Sequence, residues 1–237
     1  MEGQVDETVT TDAGAGHVPH SRGALDRDER EIKDEVLRMG SRVELQIGTA
    51  IRAFVGRDLA LAETVIGGDA EINEMQRAVT DLIATTIATQ APVARDLRFL
   101  LALNHVASEL ERIGDHAVGV AKQVRRLPDG PPVPAAVELA RMGELAASLV
   151  GGILATLVDA DSEAARVVAA GDDEIDHGYG RVFVAALDEM RSNPNAVERG
   201  MRTVLVAHWL ERIGDRVTNI AEDVVHLATG QVEDLNP

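Results

Sequence analysis

The chain has no cysteine, and only one tryptophan, one tyrosine and three phenylalanines in 237 residues. Without thiols there are no disulfides, no thiolate metal sites and no cysteine nucleophile, which fits a reducing compartment. With so few rings the core must be aliphatic, and no stacking platform for single-stranded nucleic acid is present. Basic charge is also scarce: 23 Lys and Arg against 40 Asp and Glu leave a net charge of −17. Such a surface repels phosphate backbones, so nucleic acid is excluded as a partner. Long apolar runs are missing as well. The longest uncharged one, residues 145–158, contains Gly151 and Gly152 and falls short of the ~20 residues a spanning helix needs. The first seven residues are acidic and lack the apolar core of a secretory leader. The expectation is a soluble, cytoplasmic protein.

What is present is helical periodicity. Residues 1–24 are rich in Gly, Thr, Asp and Glu without any period and read as a disordered acidic tail, in which His17 and His20 are incidental. From Leu25 onward apolar residues such as Val36, Leu37, Val43, Ile47, Ile51 and Val55 follow a 3.6-type spacing, and no alternating strand pattern occurs. Pro128, Gly130, Pro131 and Pro132 make residues 128–133 the strongest break, a linker between two halves. The spacing predicts helices over about 26–55, 58–89 and 92–127, and again over about 134–159, 161–191 and 195–228. Kinks are expected at Gly67-Gly68 and at Gly171, and Pro92 should sit in a first helical turn. Residues 25–127 and 134–229 thus form two three-helix units, with a C-terminal tail over 230–237. Short connections make neighbouring helices antiparallel. The fold class is all-α: two tandem antiparallel three-helix bundles.

The halves are related by duplication. Glu-Arg-Ile-Gly-Asp occurs at 111–115 and again at 211–215, an offset of 100 residues. Gly68-Asp69 matches Gly171-Asp172 at an offset of 103, which implies a length change, expected in the loop before the third helix. Each copy of the repeat places two carboxylates, Glu111/Asp115 and Glu211/Asp215, at i and i+4 on one helix face, where like charges are unfavourable without a counter-charge. Asp172 and Asp176 form a second such pair, with Asp69 and Asn73 opposite them in the first half. Helices two and three packed antiparallel would collect three or four oxygen donors per half. That donor chemistry suits Mg, Mn, Ca or ferric iron, and His208 could add an imidazole. Val204, His208, Glu211, Asp215, Asn219 and Glu222 share the second stripe, so the second half should be the richer site. Gly114 and Gly214 lie inside these helices, where glycine costs about 1 kcal/mol against alanine, and imply a close approach by another helix or a ligand. The competing reading is a solvated face, because Arg112 lies three residues from both Glu109 and Asp115, and Arg212 three from Asp215.

Other constellations are weaker. Glu174 and His177 have the Glu-x-x-His spacing of carboxylate di-iron bundles, but only once where two are needed. No phosphate loop of the Gly-x-x-x-x-Gly-Lys type and no nucleophilic triad is present. Arg95 and Arg98 could meet an anion at a helix N-terminus but have Asp96 and other acids beside them.

Taken in order, Gly68-Asp69-x-x-Ile72-Asn73, Gln90-Ala-Pro-Val-Ala-Arg-Asp-Leu-Arg98, Glu109-Leu-Glu-Arg-Ile-Gly-Asp-His116, Leu210-Glu-Arg-Ile-Gly-Asp215 and Asn219-Ile-Ala-Glu222 resemble the PhoU family of phosphate-signalling proteins. The resemblance runs from about residue 26 to 228. It implies two three-helix bundles and a regulator rather than an enzyme. It implies multinuclear iron, or zinc, magnesium, manganese or calcium, on Glu111/Asp115 and Glu211/Asp215, with Asp69, Asp172 and Asp176 as co-ligands. It implies partnership with the ATPase subunit of the Pst phosphate ABC transporter and with a membrane sensor histidine kinase, restraint of phosphate uptake and of the starvation response, and a homodimer peripheral to the membrane through those partners. A metal-dependent enzyme or metal store, and a purely structural helical scaffold, are the alternatives. The halves differ at His116/Arg216, Gly119/Asn219 and Lys122/Glu222, so equal metal loading is not expected.

Overall fold

The computed structural model describes residues 22–127 and 130–235; among them are helices and no strand. Helices α1 (Arg22–Gly56), α2 (Leu59–Gln90) and α3 (Arg95–Val124) make the first half. Helices α4 (Ala136–Asp159), α5 (Ser162–Ala169), α6 (Asp172–Ser192) and α7 (Val197–Thr229) make the second, with a 3-10 turn at Pro194–Ala196. The all-α duplicated architecture is as expected, α5 and α6 together taking the place of α2.

The period read in the sequence becomes the buried face. Along α1, Ile32, Val36, Met39, Val43, Ile47, Ala50 and Phe54 are all buried, at steps of three or four. Helix two opens the same way in both halves: the Asp58 carboxylate accepts from the Leu61 N–H and that of Asp161 from the Ala164 N–H, each at 3.0 Å. Each carboxylate satisfies one of the amides that a helix start leaves without a partner.

Several expectations are corrected. The helix starts at Arg22, inside the span assigned to the tail; residues 1–21, with His17 and His20, lie outside the described residues. Pro92 is not in a first helical turn but in the connection before α3, which begins at Arg95. That connection bends through Ala91 and Ala94, whose φ values are +48° and +47°. At Gly67-Gly68 α2 continues as one unbroken helix, and nothing lies within 4 Å of where either Cβ would be. At Gly171 the helix does break. A Cβ there would lie 2.5 Å from Leu149 Cδ2 and 3.0 Å from the Val168 carbonyl oxygen, so only glycine lets α4 pack against this turn. The offset change is not in the loop either. Residues 91–94 and 193–196 connect the helices over equal lengths, so the difference is taken up at helix ends.

The two bundles share one apolar core, which their separate sequence patterns did not show. Helix α4 packs on α1, with Leu154 over Gly40 and Ile51 over Gly143. By length and composition α4 could cross a membrane, yet half of its apolar window is buried in the bundle. Helices α3 and α7 run antiparallel, pairing His105 with Asp223 (2.6 Å), Glu109 with Asn219 (3.2 Å) and Gln123 with Arg202 (3.2 Å). Trp209 packs flat over Gly119 and stacks on His116, with ring centroids 5.6 Å apart.

Glu109 is the buried charge in this seam, 4% exposed, and Arg216 Nη1 lies 3.4 Å from its Oε2. Glu109→Ala strands Arg216 and Asn219 at the junction. It should destabilise the protein by about 1–3 kcal/mol in urea unfolding, the usual range for leaving buried donors without an acceptor.

Candidate metal centre

The acids picked from the sequence form two clusters, one per half. In the first, Asp69 comes from the middle of α2 and Glu111 and Asp115 from α3; Asp115 is exposed, and Asn73 Nδ2 lies 3.5 Å from Asp69 Oδ2. Burial and the neighbouring Asp115 and Asp69 push the Glu111 carboxyl up, while Arg112 pulls it down. Asp115 is raised by burial and by Asp69 against the opposing pull of Lys122 and Arg112. Lys122 therefore acts as a resident counter-charge for the first cluster.

The second cluster is deeper. The break at Gly171 places Asp172 in the first turn of α6, followed by Asp173 and Glu174, where the helix dipole favours negative charge. Asp172 is only 6% exposed, and its Oδ1 has no hydrogen-bond partner. It lies over Gly214: a Cβ there would be 1.8 Å from Asp172 Oδ1. The close approach inferred for this glycine is thus by a carboxylate. At Gly114 the matching space is lined by Gln46 Oε1 and Ile72 Cδ1, both at 3.3 Å. Burial, then Asp176, Asp215, Glu211 and Asp173, push the Asp172 carboxyl up to about 7. Burial and Asp215 also raise Asp176 and Glu211. Asp176, Asp215 and Glu211 are therefore all near enough to oppose the ionisation of Asp172.

The counter-charges here are partial. Arg212 Nη1 lies 2.6 Å from Asp215 Oδ2, as the salt-bridge reading anticipated. His208 Nδ1 is 3.1 Å from Glu211 Oε2, off line for a hydrogen bond. The remaining supposed donors are used elsewhere: Asn219 reaches across to Glu109, and Glu222 Oε1 accepts the Leu235 N–H at 3.0 Å. His116 stands apart from the acids, and burial together with Arg216 and Arg212 depresses its pKa to about 4.

Among the described residues no three carboxylates or imidazoles already converge on one point. The donor set nevertheless fits a hard cation. A buried carboxylate oxygen without a partner, surrounded by acids that hinder one another's ionisation, is relieved by one divalent ion. Asp172, Asp176, Glu211 and Asp215 would hold it in the second half after side-chain rotation. Asp69, Glu111 and Asp115 would do so in the first, with Lys122 in competition. The seam through Glu109 gave no local signal in the sequence, because its cause is contact with α7 of the other half; the break expected at Gly171 is enforced by Leu149 of α4.

A duplicated all-α bundle with an acidic face in each half defines a class of paired three-helix-bundle proteins. The PhoU domain matches residues 36–124 and 139–224, and the chain belongs to the PhoU family. A phosphate-specific transport system accessory protein PhoU homolog of Clostridium acetobutylicum is 35% identical over 217 residues, covering 91% of this chain and 99% of that one. The Streptococcus pneumoniae homolog is 31% identical over 215 residues, covering 91% and 100%. The crystal structure of the phosphate transport system regulatory protein PhoU from Streptococcus pneumoniae superimposes with a TM-score of 0.83 at 30% identity, over 89% of this chain and 99% of that one. PhoU from Pseudomonas aeruginosa gives a TM-score of 0.82 at 30% identity, over 87% and 100%.

Proposed function

We propose that the chain is a non-catalytic accessory regulator of a phosphate transport system, restraining phosphate uptake and the starvation response when phosphate is plentiful. The observation that carries this reading is the end-to-end match, through both repeats, to relatives named as accessory and regulatory proteins of phosphate transport. On this reading it works in the cytoplasm as a homodimer, contacting the transporter's ATPase subunit and a membrane sensor histidine kinase.

Hard metal ions on the acid clusters are part of the same proposal, with multinuclear iron, zinc, magnesium, manganese and calcium all compatible with carboxylate donors. The asymmetry of the clusters favours the second half. Glu222 stands where the first half has Lys122, and Asp172 is held under the helix pair with an unsatisfied oxygen. An ion there would tie α6 to α7 through Asp172 and Glu211, stiffening the face that partners meet.

Deleting the gene in its host should derepress a phosphate-starvation phosphatase reporter in high-phosphate medium, and the intact gene should restore repression. A reporter that stays repressed in a strain without a second family member contradicts the regulatory role. Pull-down of the ATPase subunit or the kinase from the same strain tests the partners.

A further inference from the structure

The α7 helix ends at Gly230, which adopts the left-handed conformation (φ +74°) and donates its N–H to the His226 carbonyl at 2.8 Å. The chain then turns back along the helix. Arg166 of α5 grips the Glu233 carboxylate with two nitrogens, Nε to Oε1 at 3.1 Å and Nη2 to Oε2 at 2.8 Å. The Leu235 N–H is fixed on Glu222, and the Leu235 side chain packs against the apolar core. Residues 231–235 have no regular secondary structure, yet they are tied to two different helices.

The route of this segment runs past the buried carboxylate. On one side a cavity of about 300 Å³ is lined by Arg166, Asp172, Asp173, Thr218 and Leu235. On the other a cleft of about 470 Å³ is lined by Arg212, Asp215, Glu222, Glu233 and Asp234 among others. Both openings lead to acids of the second cluster, and C-terminal residues line each of them. The Arg166–Glu233 pair keeps the segment closed although it brings further negative charge to an acidic site.

We propose that residues 231–235 are a strap that closes the second acid cluster and slows the exchange of a divalent cation held there. The proposal rests on the reading that the cluster binds a cation. It makes retention in the second half a property of the segment after α7 as well as of the ligands. After α3 the chain runs on into α4, so the first cluster should release its cation faster.

The test uses manganese-loaded protein carrying Glu111→Gln, so that only the second cluster is filled, mixed rapidly with excess chelator while free manganese is followed by electron paramagnetic resonance. Glu233→Gln should speed release about threefold, and deletion of residues 231–237 about tenfold, given the modest strength of a partly exposed ion pair. In metal-free intact chain the Leu235 amide should be protected from hydrogen exchange, and Glu233→Gln should remove that protection. Equal release rates from the intact and altered chains overturn the strap while the metal reading stands. An unprotected Leu235 amide in the intact chain also overturns it. Failure of every version to retain manganese, with Leu235 still protected, overturns the metal reading and the strap's role with it.

Discussion

Gly214→Ala should destabilise the protein by about 2–4 kcal/mol, whereas Gly114→Ala should shift stability by less than about 1 kcal/mol. The two glycines occupy the same place in the repeated pentapeptide, so local sequence predicts equal effects. The structure separates them. A Cβ at 214 would meet Asp172 Oδ1 at 1.8 Å and its Cγ at 2.8 Å, so the whole buried carboxylate on the first turn of α6 must be displaced. At 114 the nearest atoms are at 3.3 Å and belong to Gln46 and Ile72, whose longer side chains can shift. There the gain in helix propensity, about 1 kcal/mol for Gly to Ala, offsets the crowding. Urea unfolding of the two variants in chelator measures the difference. Equal losses would mean that Asp172 does not pack on Gly214.

Asp172→Asn should stabilise the metal-free protein at pH 8 by about 2 kcal/mol, with almost no effect near pH 3.5. The folded-state pKa, about 7, stands above the ordinary aspartate value of 3.8. Between those values the folded protein keeps a proton that the unfolded chain has released. The unfolded state therefore binds fewer protons, and stability falls as pH rises through this window. Above pH 7 the native state carries a buried charge without a hydrogen bond to Oδ1, and asparagine removes that charge. The gain is set well below the full shift, because the neighbouring carboxylates can rearrange around Asp172. Divalent metal should reverse the order. A ligand at a hundred times its Kd adds about 2.7 kcal/mol to whatever state binds it, and only the chain with aspartate at 172 benefits. Thermal unfolding against pH, with and without manganese, reads both signs.

The fold was legible wherever the cause was local. The apolar steps of α1 and the duplicated pentapeptide point to helices in two sets, and helices are found there. What could not be read depended on packing between helices. Gly68 and Gly171 look alike in sequence, but only Gly171 has Leu149 pressed against it, so only one of the two helices breaks. Asn219 and Glu222 looked like extra donors for the second cluster, but α3 and the segment after α7 engage them first. That Asp69 neighbours Glu111 and Asp115, and that Asp172 and Asp176 neighbour Glu211 and Asp215, follows from the repeat and from helix two packing on helix three. The depth of Asp172 does not, because it comes from a break that only α4 enforces.

The most direct measurement is anomalous diffraction at the manganese edge from crystals grown with limiting manganese. A peak beside Asp172, Asp176, Glu211 and Asp215, stronger than any peak beside Asp69, Glu111 and Asp115, is the expected result. Manganese found only at the first cluster, or at neither, would contradict the assignment of the second acidic face as the principal cation site.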